Sequence, residues 1–240
     1  MTSRTAFLGL MLAALLTAAP LAAAPQTVPP KPPAANNTQA KPPAAKGGLS
    51  SVFRPGATTA LDGDRRALVD RVSLYLSSVQ TLSGDFVQVA PDGSRTTGQF
   101  YIQKPGRVRF AYDPPTPLDI VADGQSVAVR DRKLATQDIY PLSQTPLRFL
   151  LSHRINLLKD TNIVGVYADD TFATVVIEEN QPLVGTNRLM MMFDAKDLQL
   201  KQWTVTDPQG YDTTVAIYNL DTSKRPNPDL FQINYQLGMP

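Results

Sequence analysis

The 240-residue chain predicts a mainly β domain, a long antiparallel meander with one helix before it and a helical interruption within it. Three observations predict this class. Residues 98–112 alternate apolar and polar on both sides of a Lys104-Pro105-Gly106 turn. Phe100 and Ile102 share one parity and Val108, Phe110 and Tyr112 the matching one, so period-two geometry stacks large apolar side chains on one side of a hairpin. Turn signals then recur at short intervals, as at Asp123-Gly124 between two apolar runs. Only one stretch, residues 145–158, drops the alternation for a helical apolar pattern.

The N-terminal elements are not part of that domain. Residues 6–19 form an apolar block that follows Arg4 and stops at Pro20, which reads as a secretory signal peptide too short to span a bilayer comfortably. The best small-residue cleavage site, Ala22-x-Ala24, places Pro25 after the cut; removal of residues 1–24 is the expectation, and an uncleaved anchor the alternative. Residues 25–59 are expected to be a disordered linker, rich in Pro, Ala and Lys, with Lys-Pro-Pro-Ala-Ala at 31–35 and again at 41–45. Such a segment favours an extended chain of about 3.1 Å per residue and has too few large apolar groups to fold. It reads either as a solvated tail or as a cationic tether for anionic headgroups. Residues 60–240 then suffice for one domain with a sizeable core.

Within that domain, residues 62–80 place Leu68, Val72, Tyr75, Leu76 and Val79 on one helical face, with Asp62 and Asp64 as candidate caps. Strand-like runs follow at 86–89, 99–103, 108–112, 118–122, 127–130, 135–140, 163–167, 172–177, 188–193, 200–206 and 213–220. Turn residues separate them at 91–93, 104–106, 113–115, 123–124, 169–170 and 207–210. The interruption starts with Thr145-Pro146, a good first-turn signal, and is more apolar than a surface helix needs to be. It must bury itself against the sheet, either as part of a lid together with the first helix or as a helix packed permanently on the core.

Composition excludes several functions. With 23 basic and 21 acidic residues, and 22 against 21 once Arg4 leaves with the signal, no strong field for nucleic acid exists. The absence of cysteine rules out lipid modification of the chain itself, disulfides and thiolate metal sites, and His153 is the only histidine, so no metal is expected. No nucleophile elbow, His-Glu-x-x-His or phosphate-cradling loop occurs, so the chain reads as no enzyme and needs no cofactor. Asp169-Asp170 reads as a hairpin turn, and Asp221-Thr222-Ser223 lacks the glycine and the flanking apolar runs of a protease loop. Lys104 stands out because alternation with Phe100 and Ile102 turns it toward the apolar face, where an unpaired cation is costly unless it reaches water from the strand end.

The order of these motifs resembles the periplasmic lipoprotein carriers of the LolA family. It comprises an N-terminal helix, the Lys104-Pro105-Gly106-Arg107 hairpin, the Ala122-Asp123-Gly124 turn, the Thr145-Pro146-Leu147-x-Phe149-Leu150-Leu151 helix and a closing Asp229-Leu230-Phe231 after prolines. Val108 and Phe110 stand where many members have Phe and Trp, and both keep the face apolar. The resemblance implies an incomplete antiparallel β-barrel with a helical lid over an apolar cavity. Alternation assigns Phe86, Phe100, Ile102, Val108, Phe110 and Trp203 to its lining, and Leu147, Phe149, Leu150 and Leu151 to the lid. Lys104 matches a position where several carriers have an arginine that hydrogen-bonds the lid, and would be a weaker latch because it lacks the planar fork.

The implied role is that of a monomeric periplasmic carrier of acylated lipoproteins, loaded by an inner-membrane ATP-driven (ABC-type) exporter. Unloading would be to an outer-membrane acceptor lipoprotein or to the outer membrane itself. Such a carrier is needed because an acyl chain of some fifteen methylenes costs on the order of 12 kcal/mol to expose to water. A carrier of hopanoids or glycolipids and a lipid-binding stress sensor would share the architecture. A periplasmic hydrolase is the reading from a different class.

Overall fold

The computed structural model describes residues 62–181 and 185–236, so the expected signal peptide and the whole of the expected linker lie outside the described residues. Helix α1, Gly63–Ser78, is capped by Asp62, whose carboxylate accepts from the Arg65 backbone N–H at 2.9 Å. Eleven strands follow: β1 Thr81–Val89, β2 Arg95–Gln103, β3 Arg107–Tyr112, β4 Leu118–Asp123, β5 Ser126–Asp131 and β6 Thr136–Pro141, then β7 Asn162–Ala168, β8 Phe172–Gln181, β9 Gly185–Asp194, β10 Leu200–Thr206 and β11 Asp212–Asp221. Between β6 and β7 lie the short helices α2, Leu147–Leu151, and α3, Leu157–Asp160.

All eleven strands form one sheet in the order β6-β5-β4-β3-β2-β1-β11-β10-β9-β8-β7, with every neighbouring pair antiparallel. The first six strands run outward to one edge. The helical segment then carries the chain to the opposite edge, and the last five strands return until β11 pairs with β1. Because β6 and β7 are the two edges, the sheet stays open and is not a closed barrel.

Alternation sends one set of side chains to an inner face shared with the helices. Buried apolar residues of β1–β5 and β7–β11 form a single core with Val69, Val72 and Leu76 of α1, Leu147, Phe149, Leu150 and Leu151 of α2, and Leu157 of α3. The Pro228–Phe231 turn lies on β3 and β4, where the Arg109 guanidinium donates to the Leu230 carbonyl and pairs with Asp119 at 3.0 Å.

Two serines, Ser73 buried and Ser77 half-buried, fasten α1 to the chain at Ile155 and Leu157, where α3 starts. Ser73 Oγ accepts from the Leu157 N–H at 3.1 Å and donates to the Val69 carbonyl, and Ser77 Oγ accepts from the Ile155 N–H at 3.1 Å. Spaced four apart, they sit on one helical stripe, so each polar group buried there has its partner.

Candidate functional site

The inner face is the candidate site. Phe86, Phe100, Val108, Phe110, Ile102 and Trp203 all lie on it, none more than 7% exposed. Strand register brings them together: Phe100 pairs with Phe110 and Ile102 with Val108 across β2 and β3. The Phe110 ring is the hub, 5.3 Å edge-on from Phe86, 6.2 Å in a stacked contact from Phe100 and 6.2 Å from Trp203, which reaches it from β10. The returning half of the sheet adds further apolar surface. Val175, Ile177, Leu189, Met191, Phe193, Val215 and Ile217 are buried on the same face, and their period-two spacing on β8, β9 and β11 was the available signal for them.

Helix α2 covers this face with Leu147, Phe149, Leu150 and Leu151, all buried. Two polar contacts tie it to the sheet. The Gly106 N–H, in the turn between β2 and β3, donates to the Leu151 carbonyl at 2.9 Å, and the Arg148 guanidinium forms an ion pair with Glu179 on β8. That guanidinium also lies 3.9 Å from the Phe149 ring centre. Glu179 shares its parity with the buried Val175 and Ile177, a relation that single-strand alternation contains, but its pairing with Arg148 depends on where α2 docks.

Lys104 grips the other helix. Its Nζ donates to the Leu76 carbonyl in the last turn of α1, and its backbone N–H donates to the Gln80 carbonyl at 2.8 Å. Since α1 carries no basic residue in its last turn, Lys104 supplies from the turn after β2 the cation that the helix dipole favours there. Neighbouring carbonyls are also occupied: Tyr75 accepts from the Val79 N–H and Ser77 from the Gln80 amide. The lysine therefore caps α1, and α2 is held by the adjacent Gly106.

Burial of that ammonium lowers the Lys104 pKa from 10.5 to about 8. Between those values the unfolded chain binds the proton and the folded chain releases it, so stability rises with pH through this window and the penalty is fully present below about 8. Relative to Lys104→Met, the wild type should gain about 1–2 kcal/mol between roughly pH 7 and pH 10, a figure reduced for partial solvation. Urea midpoints of both proteins at the two pH values measure it; parallel curves would place the ammonium in water.

The remaining candidates fall in turns. Asp169 accepts from the Thr171 and Phe172 N–H groups, and Asp221 from the Ser223 N–H and hydroxyl. His153 follows α2, its carbonyl accepting from the Gln80 side chain at 3.4 Å. Among the described residues no group of three His, Cys, Asp or Glu side chains is placed to hold a metal.

Comparison with known proteins matches residues 77–234 to the family described as outer membrane lipoprotein carrier protein LolA. An outer-membrane lipoprotein carrier protein from Methylococcus capsulatus is 27% identical over 178 residues, covering 70% of this chain and 84% of the relative. Its counterpart from Pseudomonas paraeruginosa is 28% identical over 190 residues, covering 65% of this chain and 91% of the relative. Among solved structures, a LolA superfamily protein from Nitrosomonas europaea aligns at 10% identity with a TM-score of 0.38, covering 70% of this chain and 98% of that one.

Proposed function

We propose, from the premise that the chain belongs to the outer membrane lipoprotein carrier protein LolA family, that it shelters the acyl chains of lipoproteins on its apolar inner face and ferries them across the periplasm. Residues 60–240 are the carrier domain in this reading, delivered by the signal peptide of residues 1–24 and spaced by the linker of residues 25–59. Loading by an inner-membrane ABC-type exporter and unloading at the outer membrane or an acceptor lipoprotein complete the cycle. No catalytic step is required.

The observation that carries this reading is the weak polar attachment of a strongly apolar cover. Four buried side chains hold α2 to the face, against one backbone hydrogen bond and one ion pair to the sheet among the described residues. Exposing those four costs roughly 6–12 kcal/mol at about 1.5–3 kcal/mol each, and sheltering one acyl chain of fifteen methylenes returns on the order of 12 kcal/mol. The exchange is near balance, as reversible loading and release require. Phe86, Phe100, Ile102, Val108, Phe110 and Trp203 then line the acyl site. Lys104 anchors α1 as the fixed wall, and α2 is the part that lifts.

The chain has no cysteine, so a lid lock can be introduced cleanly. In Arg148→Cys/Glu179→Cys, a short thiol-reactive bridge with a cleavable centre should abolish uptake of a palmitoylated lipopeptide, and cleaving the bridge should restore it. Undiminished uptake by the bridged protein would overturn the lid reading.

A further inference from the structure

The inner face is not wholly apolar. Trp203 on β10 is 2% exposed and Thr213 on β11 is 1% exposed, and neither the indole Nε1 nor the threonine Oγ1 has a hydrogen-bond partner among the described residues. The two positions are neighbours. Trp203 pairs with Val215, and Thr213 precedes Val215 by two residues on the same strand, on the same buried parity. Buried polar atoms are paired in the great majority of native positions, so two orphans on adjacent rows of one face require an account.

Their chemistry is specific. An indole N–H only donates, and a threonine hydroxyl both donates and accepts. A group that satisfies them must bring an acceptor into an otherwise greasy surface. A fatty acyl chain has one such atom, its carbonyl oxygen, with an apolar tail attached. The Trp203 ring is in contact with Phe110, and through it with Phe86 and Phe100, so a tail running from the carbonyl toward β3 and β2 meets aromatic surface throughout.

We infer that Trp203 and Thr213 recognise the carbonyl of the bound acyl group, with the indole N–H donating to it, and so set the register in which the chain lies. This inference rests on the carrier reading above and names the polar contact within the same site. It makes the protein selective for ester-linked acyl chains over ether-linked alkyl chains of equal length, a difference that apolar shelter alone does not produce.

The test compares a dipalmitoyl glycerolipid with its dihexadecyl ether analogue, both offered to the wild type, Trp203→Phe and Thr213→Val. The wild type should bind the ester about tenfold tighter, the effect of one well-made buried hydrogen bond. Trp203→Phe should bind both lipids equally, at the wild-type ether affinity, and Thr213→Val, which keeps the side-chain shape, should narrow the preference. Because the chain has one tryptophan, its indole N–H resonance is unambiguous in the unmodified protein and should move downfield with the ester and not with the ether. Equal wild-type affinities with an unmoved indole resonance would overturn the inference and leave the carrier reading standing. Failure of both lipids to bind would overturn both.

Discussion

Phe110→Asp should leave no folded domain at 25 °C. The ring is 4% exposed and touches Phe86, Phe100 and Trp203, so it joins the outgoing half of the sheet to the returning half across β1 and β11. Removing a buried aromatic side chain costs about 3–5 kcal/mol by itself, as Phe110→Ala should show in urea denaturation. Aspartate adds the burial of a carboxylate with no cation on that part of the face, several kcal/mol more in effect, against a total stability of about 5–15 kcal/mol for a typical domain. A Phe110→Asp protein with a near-native urea midpoint and far-UV spectrum would show that the inner face is solvated and that the four rings are not the core. Since the site residues are also core residues, binding studies need volume-conserving changes such as Phe110→Leu.

How much of this was legible before the fold is clearest from single elements. Ten of the eleven alternating runs lie within a strand, the run at 135–140 overreaching β6 by Ala135, whose positive φ of 53° places it in the turn, and the parity of Phe100, Ile102, Val108 and Phe110 matches the observed register, because both follow from the period of the β backbone. β1 begins at Thr81, earlier than its apolar run, since Ser83, Gly84 and Asp85 are weak strand formers held in place by β2 on one side and β11 on the other. The pairing of β1 with β11 has no local signature: the partners Phe86 and Ile217 are far apart in the chain, and nothing near either announces the other. The same holds at the site. Alternation turns Lys104 inward, but its acceptor on α1 depends on where that helix docks, and the buried Ser73 reads as a surface residue until Leu157 supplies its second bond. Periodicity reports which face a residue is on; the partner on that face is decided by long-range packing.

The last expectation concerns the turn that holds both helices. Gly106 has φ +73°, and a Cβ built there would stand 2.6 Å from the Gly124 Cα and 3.0 Å from its carbonyl oxygen. Both obstacles are backbone, in the β4–β5 turn packed against the β2–β3 turn, so neither yields cheaply. This contact, together with the positive φ, is why position 106 carries glycine, whereas Gly124 answers to its backbone conformation. Gly106→Ala should therefore cost about 2–4 kcal/mol, the left-handed strain of an L residue plus overpacking. Gly124, at φ +111°, would place its Cβ no nearer than 3.8 Å to the Pro105 carbonyl oxygen, so Gly124→Ala meets backbone strain alone, about 1–2 kcal/mol. The two variants should separate more sharply in their effect on α2. Displacing residue 106 pulls its N–H from the Leu151 carbonyl, leaving the Arg148–Glu179 pair as the remaining polar tie to the sheet, whereas Gly124→Ala leaves that bond in place. Hydrogen exchange of the α2 amides, residues 147–151, should accelerate in Gly106→Ala beyond what its global stability loss explains, and in Gly124→Ala only in proportion to it. Equal acceleration in the two would mean that the turn does not hold the helix.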